Sequence, residues 1–164
     1  MERGIIRLMR IEEKVARLLT LHQKTLSLAE SCSGGHLSNL LTNVPGASAF
    51  FKLGLIAYSN NVKKKLLKIP KRILIRHGAV SGPVAELMAR NVRKLQNTDF
   101  GIAITGIAGP TGGTGRKPVG LTYIAITTKQ KSLCIKYIFK GSRLRIKSQA
   151  AHQALKTLLE FLKS

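Results

Sequence analysis

The sequence predicts an α/β fold, a single-domain three-layer α/β/α sandwich around a mixed, largely parallel central sheet. Three observations predict it. Helix-like and strand-like segments alternate through most of the chain. The run DFGIAITG is apolar throughout, as a strand covered on both faces must be. Two alternating runs, GLTYIAITT and KSLCIKYIF, flank Lys129-Gln130 and read as an antiparallel hairpin, followed by a closing helix.

Taken in order, IEEKVARLLTLH places Ile11, Val15, Leu18 and Leu19 at helical spacing. TLSLAE alternates as a short strand and runs into AESCSGG, residues 29–35. A helix opens at Ser33-Gly34-Gly35, continues through HLSNLLTN and stops at Val44-Pro45-Gly46. FKLGLIAYS is a strand, and NNVKKKLL a short helix capped by Ser59 or Asn60. SGPVAELMARNVRKLQ is a helix with Pro83 in its first turn. SQAAHQALKTLLEFLK closes the chain as an amphipathic helix, whose apolar face either completes the core or serves a homo-oligomer. Residues 1–10 are expected to be an extension, with Met9 an alternative start, and 11–164 the domain.

Composition narrows the function. The 164 residues suit one domain of the usual ~100–150 residues. No apolar run reaches the ~18–20 residues of a membrane span, and MERGIIRLMR lacks the pattern of a signal peptide, so a cytoplasmic protein is expected. Cys32 and Cys134 form neither a zinc spacing nor a disulfide framework. Lys and Arg number 28 against 7 Asp and Glu, a formal net charge of +21, with Lys63, Lys64, Lys65, Lys68, Lys71, Arg72 and Arg76 crowded together. Such a surface attracts polyanions non-specifically, but with 5% aromatics and no Trp it has no base-stacking platform. Asp99 is the single aspartate, and His22, His36, His77 and His152 lack helical metal-site spacing, so metal catalysis and carboxylate-pair chemistry have little material.

Ligands of such folds bind at the loops after the carboxyl ends of strands. AESCSGG, the segment after Tyr58 and the loop Gly106–Gly120 occupy that kind of position. Ser31 is either a nucleophile or a turn residue, and a helix start beyond it would offer N–H groups to an anion. The carboxylate of a Ser-His-Asp triad is disfavoured because Asp99 begins a strand at the end away from its loop. Lys63 is either part of a solvated basic face or a general base. Its place early in a helix, its neighbours Lys64 and Lys65, and any burial would all lower its pKa. The loop GIAGPTGGTGRKPVG is neither a Walker A motif nor GxGxxG, yet its glycines could wrap a phosphate. Thr105 at its edge could offer a hydroxyl to substrate.

These segments together resemble the CinA C-terminal domain family, which includes stand-alone nicotinamide-mononucleotide amidases. The resemblance rests on AESCSGG, VPGASAFF, AYSNNVKKKLL, HGAVSGPVAELMA, DFGIAITGIAGPTGGTGRKPVG and GSRLRIKSQA, and covers residue 11 to the C-terminus. It implies hydrolysis of the carboxamide of nicotinamide mononucleotide to nicotinate mononucleotide and ammonia, without metal or cofactor, as one step of NAD recycling. It places the nucleophile on Ser31 and the catalytic lysine on Lys63. Tyr58, Thr105, Gly106 and Arg143 become substrate contacts, Arg143 pairing with the 5′-phosphate, and Ser33, Gly34 and Gly35 line the substrate, with N–H groups near Ser33 and Gly34 for the oxyanion. Cys32 is the alternative nucleophile, with a side chain expected to point away from that of Ser31.

The chain departs from the family pattern at Ser33 for Thr, Asn61-Val62 for Glu-Ala, Gly82 for Glu, and Ser142 for Asp. The last change would leave Arg143 less firmly oriented. Two other classes fit less of the sequence: a catalytically silent nucleotide-binding module, which would bind but release no ammonia, and a basic nucleic-acid-associated protein.

Overall fold

A computed structural model describes residues 9–163. The expected extension over residues 1–10 lies, but for Met9 and Arg10, outside the described residues. Five strands form one sheet in the order β2-β1-β3-β4-β5, where β1 is Leu26–Glu30, β2 Phe51–Ile56, β3 Phe100–Gly106, β4 Leu121–Thr127 and β5 Ser132–Ile138. β1 lies parallel to both β2 and β3, while β3–β4 and β4–β5 are antiparallel. The parallel centre is therefore β2-β1-β3, and the hairpin supplies the antiparallel half.

Burial follows position in the sheet. β1 is buried at every residue and β3 at all but Gly106, whereas β2, at one edge, alternates between half-buried and exposed. Apolar residues on both faces of a central strand demand a cover on both sides. Among the described residues, six helices supply it: α1 (Ile11–Leu21), α2 (His36–Thr42), α3 (Asn60–Lys65), α4 (Lys71–His77), α5 (Gly82–Leu95) and α6 (Arg143–Phe161). Leu28, Ile102, Ile104 and Ile124 pack with α1, α2 and α6 in one core layer. Ala29, Ala103 and Ala125 pack with Val84, Met88 and Val92 of α5 and with Leu67 and Ile69 in the other. Small residues on that face let α5 come close. A Cβ at Gly101 would clash with the Ala89 carbonyl oxygen of α5 and lie 2.6 Å from Arg93 Cβ.

Three elements differ from expectation. α2 begins at His36 rather than Ser33, because Gly34 and Gly35 both have left-handed backbone, φ 62° and 90°, which cannot continue into a right-handed turn. α6 begins at Arg143, five residues before its amphipathic pattern starts, because the Ser142 hydroxyl caps it by accepting from Arg145 N–H. α4 covers a stretch that reads in sequence only as a cationic cluster, since Ile73, Leu74 and Ile75 are consecutive and show no helical period. The apolar face of α6, with Ile146, Ala150, Ala154, Leu155 and Leu158, is buried against the sheet. No described helix is long and apolar enough to cross a membrane.

Asp99 sits just before β3 and accepts from Thr25 N–H and Oγ1, each at 2.9 Å, tying the amino ends of β1 and β3 together. That leaves the opposite, carboxyl edge free for other work. The close approach of α5 is directly testable. Gly101→Ala is expected to destabilise by about 1–3 kcal/mol through overpacking. At roughly 2–4 °C per kcal/mol for a chain of this length, a Tm within 1 °C of wild type in a scanning calorimeter would contradict the packing described.

Candidate active site

Glu30 ends β1, and its carboxylate organises the turn beyond it. Its oxygens accept from Gly35 N–H at 3.1 Å, Leu37 N–H at 3.1 Å, Ser38 N–H at 2.8 Å and Ser38 Oγ at 2.6 Å. A buried carboxylate with this many donors is well compensated, and it occupies the positive end of α2. The expected anion-binding helix start is thus already taken from within the chain. Sequence inspection passes over Glu30 because its partners are backbone N–H groups formed only by the turn.

The two left-handed glycines turn the chain sharply after Ser31. Ser31 N–H donates to Ile104 O at 2.9 Å, continuing the β1–β3 ladder, and Ser31 O accepts from Gly34 N–H at 3.1 Å. The side chain of Ser31 is therefore fixed at the carboxyl edge of the sheet. Lys63 meets it there. Its Nζ lies 3.0 Å from Ser31 Oγ and donates to Ala57 O at 2.7 Å and Tyr58 O at 3.2 Å. Lys63 is 1% exposed and has no carboxylate within ion-pair distance among the described residues.

Burial lowers the Lys63 pKa to about 8, the Cys32 thiol opposing slightly. The expected direction holds, and of the causes expected it is burial that acts: Lys64 and Lys65 are exposed and their charge is screened by water. In its neutral form the amine has two hydrogens for the Ala57 and Tyr58 carbonyls, and its lone pair faces the Ser31 hydroxyl. That is the geometry of a base hydrogen-bonded to a nucleophile.

Ser31, Tyr58, Lys63, Thr105, Gly106 and Arg143 line one cavity of about 260 Å³, together with Cys32, Ala79, Val80 and the loop residues Ile107–Gly109, Thr111 and Gly112. Ser33, Gly34 and Gly35 do not line it. Ser33 is fully buried with no partner for its Oγ among the described residues, a Cβ at Gly34 would face Lys147 Nζ, and one at Gly35 would face Ile56. Gly34 N–H is also engaged with Ser31 O, so it is not free to meet an oxyanion, and the N–H groups of Cys32 and Ser33 face the Cys32 sulfur. Cys32 packs into the core on the α1–α2–α6 side, where burial raises its thiol pKa to about 11, far from a thiolate at neutral pH.

The remaining residues are placed by long-range contacts. Thr105 is 1% exposed and its hydroxyl donates to Ala79 O at 2.9 Å, so its proton holds the cavity wall rather than a ligand. Gly106 admits no side chain: a Cβ there would lie 2.7 Å from Leu121 O and 2.9 Å from Cys32 Sγ. Arg143, the first residue of α6, donates to Gly109 O at 2.7 Å and to Tyr58 Oη at 3.0 Å. Ser142 therefore does not leave it adrift, since Tyr58 and the glycine loop orient it. No group of three or more His, Cys, Asp or Glu side chains among the described residues is arranged to hold a metal ion.

Comparison with known proteins agrees with the fold and the motifs. The family model for the CinA C-terminal domain matches residues 8–162. A CinA-like protein of Syntrophus aciditrophicus is 48% identical over 93% of this chain and 36% of its own length. A CinA-like protein of Thermotoga maritima is 45% identical over 94% of this chain and 38% of its own. The chain thus spans little more than a third of these curated relatives. Among solved structures, the competence damage-inducible protein A of Klebsiella pneumoniae superposes with a TM-score of 0.91 at 30% identity, covering 93% of this chain and 95% of that one. The competence/damage inducible protein CihA of Agrobacterium tumefaciens gives 0.89 at 33% identity, over 94% and 96%. With this match along nearly its whole length, the chain belongs to the CinA C-terminal domain family.

Proposed function

We propose that this chain is a metal-independent amidase that hydrolyses the carboxamide of nicotinamide mononucleotide to nicotinate mononucleotide and ammonia. One observation carries the reading: a buried lysine amine without a carboxylate partner among the described residues, 3.0 Å from the hydroxyl of a serine that lines a cavity. A structural lysine would sit in water or on an acid; this one is desolvated against the one group whose proton it can take.

Neutral Lys63 removes the proton of Ser31 as Oγ attacks the carboxamide carbon. The charge developing on the amide oxygen calls for backbone N–H donors at the turn just beyond Ser31, where Cys32 lines the cavity. Lys63 then returns the proton to the departing nitrogen, and ammonia leaves an acyl-serine ester. Water, deprotonated by the same amine, cleaves the ester, releases the carboxylate and restores Ser31. No redox step and no metal enter this sequence. At about 260 Å³ the cavity is smaller than the ~300–1,000 Å³ of ordinary ligand sites. It suits a pyridine carboxamide, with the ribose phosphate reaching outward. Arg143 and Tyr58 stand at that outer edge, and the guanidinium keeps N–H donors beyond the two it spends on Gly109 and Tyr58.

The first test is release of ammonia and nicotinate mononucleotide from nicotinamide mononucleotide by purified protein in chelator-containing buffer. Ser31→Ala and Lys63→Ala are each expected to lower kcat by at least about 10³-fold while leaving the fold intact. Lys63→Arg should be equally inactive, because a guanidinium keeps its proton. Binding of the mononucleotide without turnover by wild type would instead make this a nucleotide-binding module.

A second expectation concerns pH. With a pKa of about 8 for Lys63, only about a tenth of the amine is neutral at pH 7. kcat/KM should therefore rise tenfold per pH unit below that value and level off above it, and a profile flat from pH 6 to 9 would remove Lys63 as the base. The same depression links to stability. Between about pH 8 and the ordinary lysine value of 10.5 the unfolded chain holds a proton that the folded chain has lost, so stability rises with pH across that window. Urea melts of Lys63→Met should lack this rise.

A further inference from the structure

One part of the cavity wall is the segment running from His77, the last residue of α4, to Val80, of which Ala79 and Val80 line the cavity. Its backbone shows an unusual bonding pattern. Lys117 Nζ donates to His77 O at 2.6 Å and to Val80 O at 2.8 Å. Ser81 Oγ donates to Gly78 O at 2.9 Å, and Thr105 Oγ1 to Ala79 O at 2.9 Å. Four consecutive carbonyls are thus each taken by a side chain and none by a helix or strand ladder. A segment so held has no regular structure of its own to fix it. Its position depends on those three side chains, and Lys117 makes two of the four bonds.

Lys117 comes from the far side of the cavity. It belongs to the glycine-rich loop 106–120, whose residues Ile107–Gly109, Thr111 and Gly112 form another part of the lining. From Thr111 to Pro118 every residue but Lys117 is exposed. The loop is braced at that point by its own turn: Thr114 N–H donates to Lys117 O at 2.8 Å, and Lys117 N–H reaches Thr114 Oγ1 at 3.1 Å. Val119 packs against Gly109 and Gly113, where a Cβ would come within 2.5 and 2.9 Å of it. The ammonium lies so close over Gly78 that a Cβ there would meet it at 2.9 Å.

We infer that Lys117 is a positioning residue that straps the glycine loop to the segment 77–80, so that these two walls of the cavity keep a fixed separation for the ligand. It touches neither Ser31 nor Lys63, whose mutual geometry is set by β1, α3 and the Ala57 and Tyr58 carbonyls. Its removal should loosen the ligand's seat and leave the proton-transfer pair as it is. The kinetic readout rests on the amidase reading above; the exchange readout does not.

The test compares wild type with Lys117→Met and Lys117→Gln. Hydrogen–deuterium exchange of the unliganded protein should quicken in peptides spanning 75–82 and 107–120 of Lys117→Met, with peptides over 26–35 unchanged. With nicotinamide mononucleotide, KM should rise by about tenfold or more, kcat should stay within about threefold, and the pH midpoint should not move. Lys117→Gln, which keeps one donor for a single carbonyl, should fall between, and it serves in place of the methionine variant if that one does not fold. Unchanged exchange in both peptides overturns the inference whether or not the protein is an amidase. A fall in kcat with unaltered KM overturns it also, since the strap would then act on the chemistry. Wild type without amidase activity, but with exchange altered as described, would sink the proposed reaction and leave the strap standing.

Discussion

An amine held out of water with no carboxylate beside it is the constraint around which this site is arranged. Moving an ammonium into a dry environment is costly unless it is paired, and the protein leaves Lys63 unpaired. Two carbonyls and one hydroxyl are all it is given. The amine answers by giving up its proton more readily, with a pKa of about 8. A single acidic side chain within reach would reverse this and fix the charge. The scarcity of acids along this part of the chain, none between Glu30 and Glu86, therefore has a local meaning at Lys63.

Glu30 is the acid that comes nearest in sequence to Ser31, and its own hydrogen bonds hold it within the turn. Four donors from residues 35–38 converge on its oxygens, so its charge anchors α2 to β1. The same turn takes the chain through two left-handed glycines and leaves Ser31 buried at the sheet's carboxyl edge beside Lys63. Structure and chemistry share one device here: the turn needs an anion for its N–H groups, and using Glu30 for that purpose keeps it from the lysine.

The sheet topology brings the rest. β1, β2 and β3 run parallel and deliver Ser31, the Tyr58–Lys63 segment and the glycine loop to one edge. The antiparallel hairpin leaves at that edge and returns to it, which is why Arg143, at the start of α6, can reach Tyr58 and Gly109. The walls between these anchors are irregular. Side-chain bonds from Thr105, Ser81 and Lys117 do there what ladders do elsewhere, and the cavity's shape depends on them.

Much of the fold was legible in the residues because periodicity and strand burial are local properties. The buried run at 100–106, the hairpin around 128–131 and the helix with Pro83 in its first turn each declare themselves within a dozen residues or so. So did the candidacy of Ser31 and Lys63, with the resemblance to a family choosing between readings that spacing left open. Other features waited for the tertiary structure. The starts of α2 and α6 were set by backbone handedness at Gly34 and Gly35 and by the cap at Ser142, neither of which leaves a periodic trace. The burial of Lys63, and hence the dominant cause of its lowered pKa, exists only once the α3 region is packed against the sheet edge. The same holds for the orienting of Arg143 by Tyr58 and for the spending of Thr105 and Lys117 on carbonyls 77, 79 and 80. Sequence determines which groups are present and which local shapes they favour; which group meets which, and whether water lies between them, is decided by contacts between residues far apart in the chain.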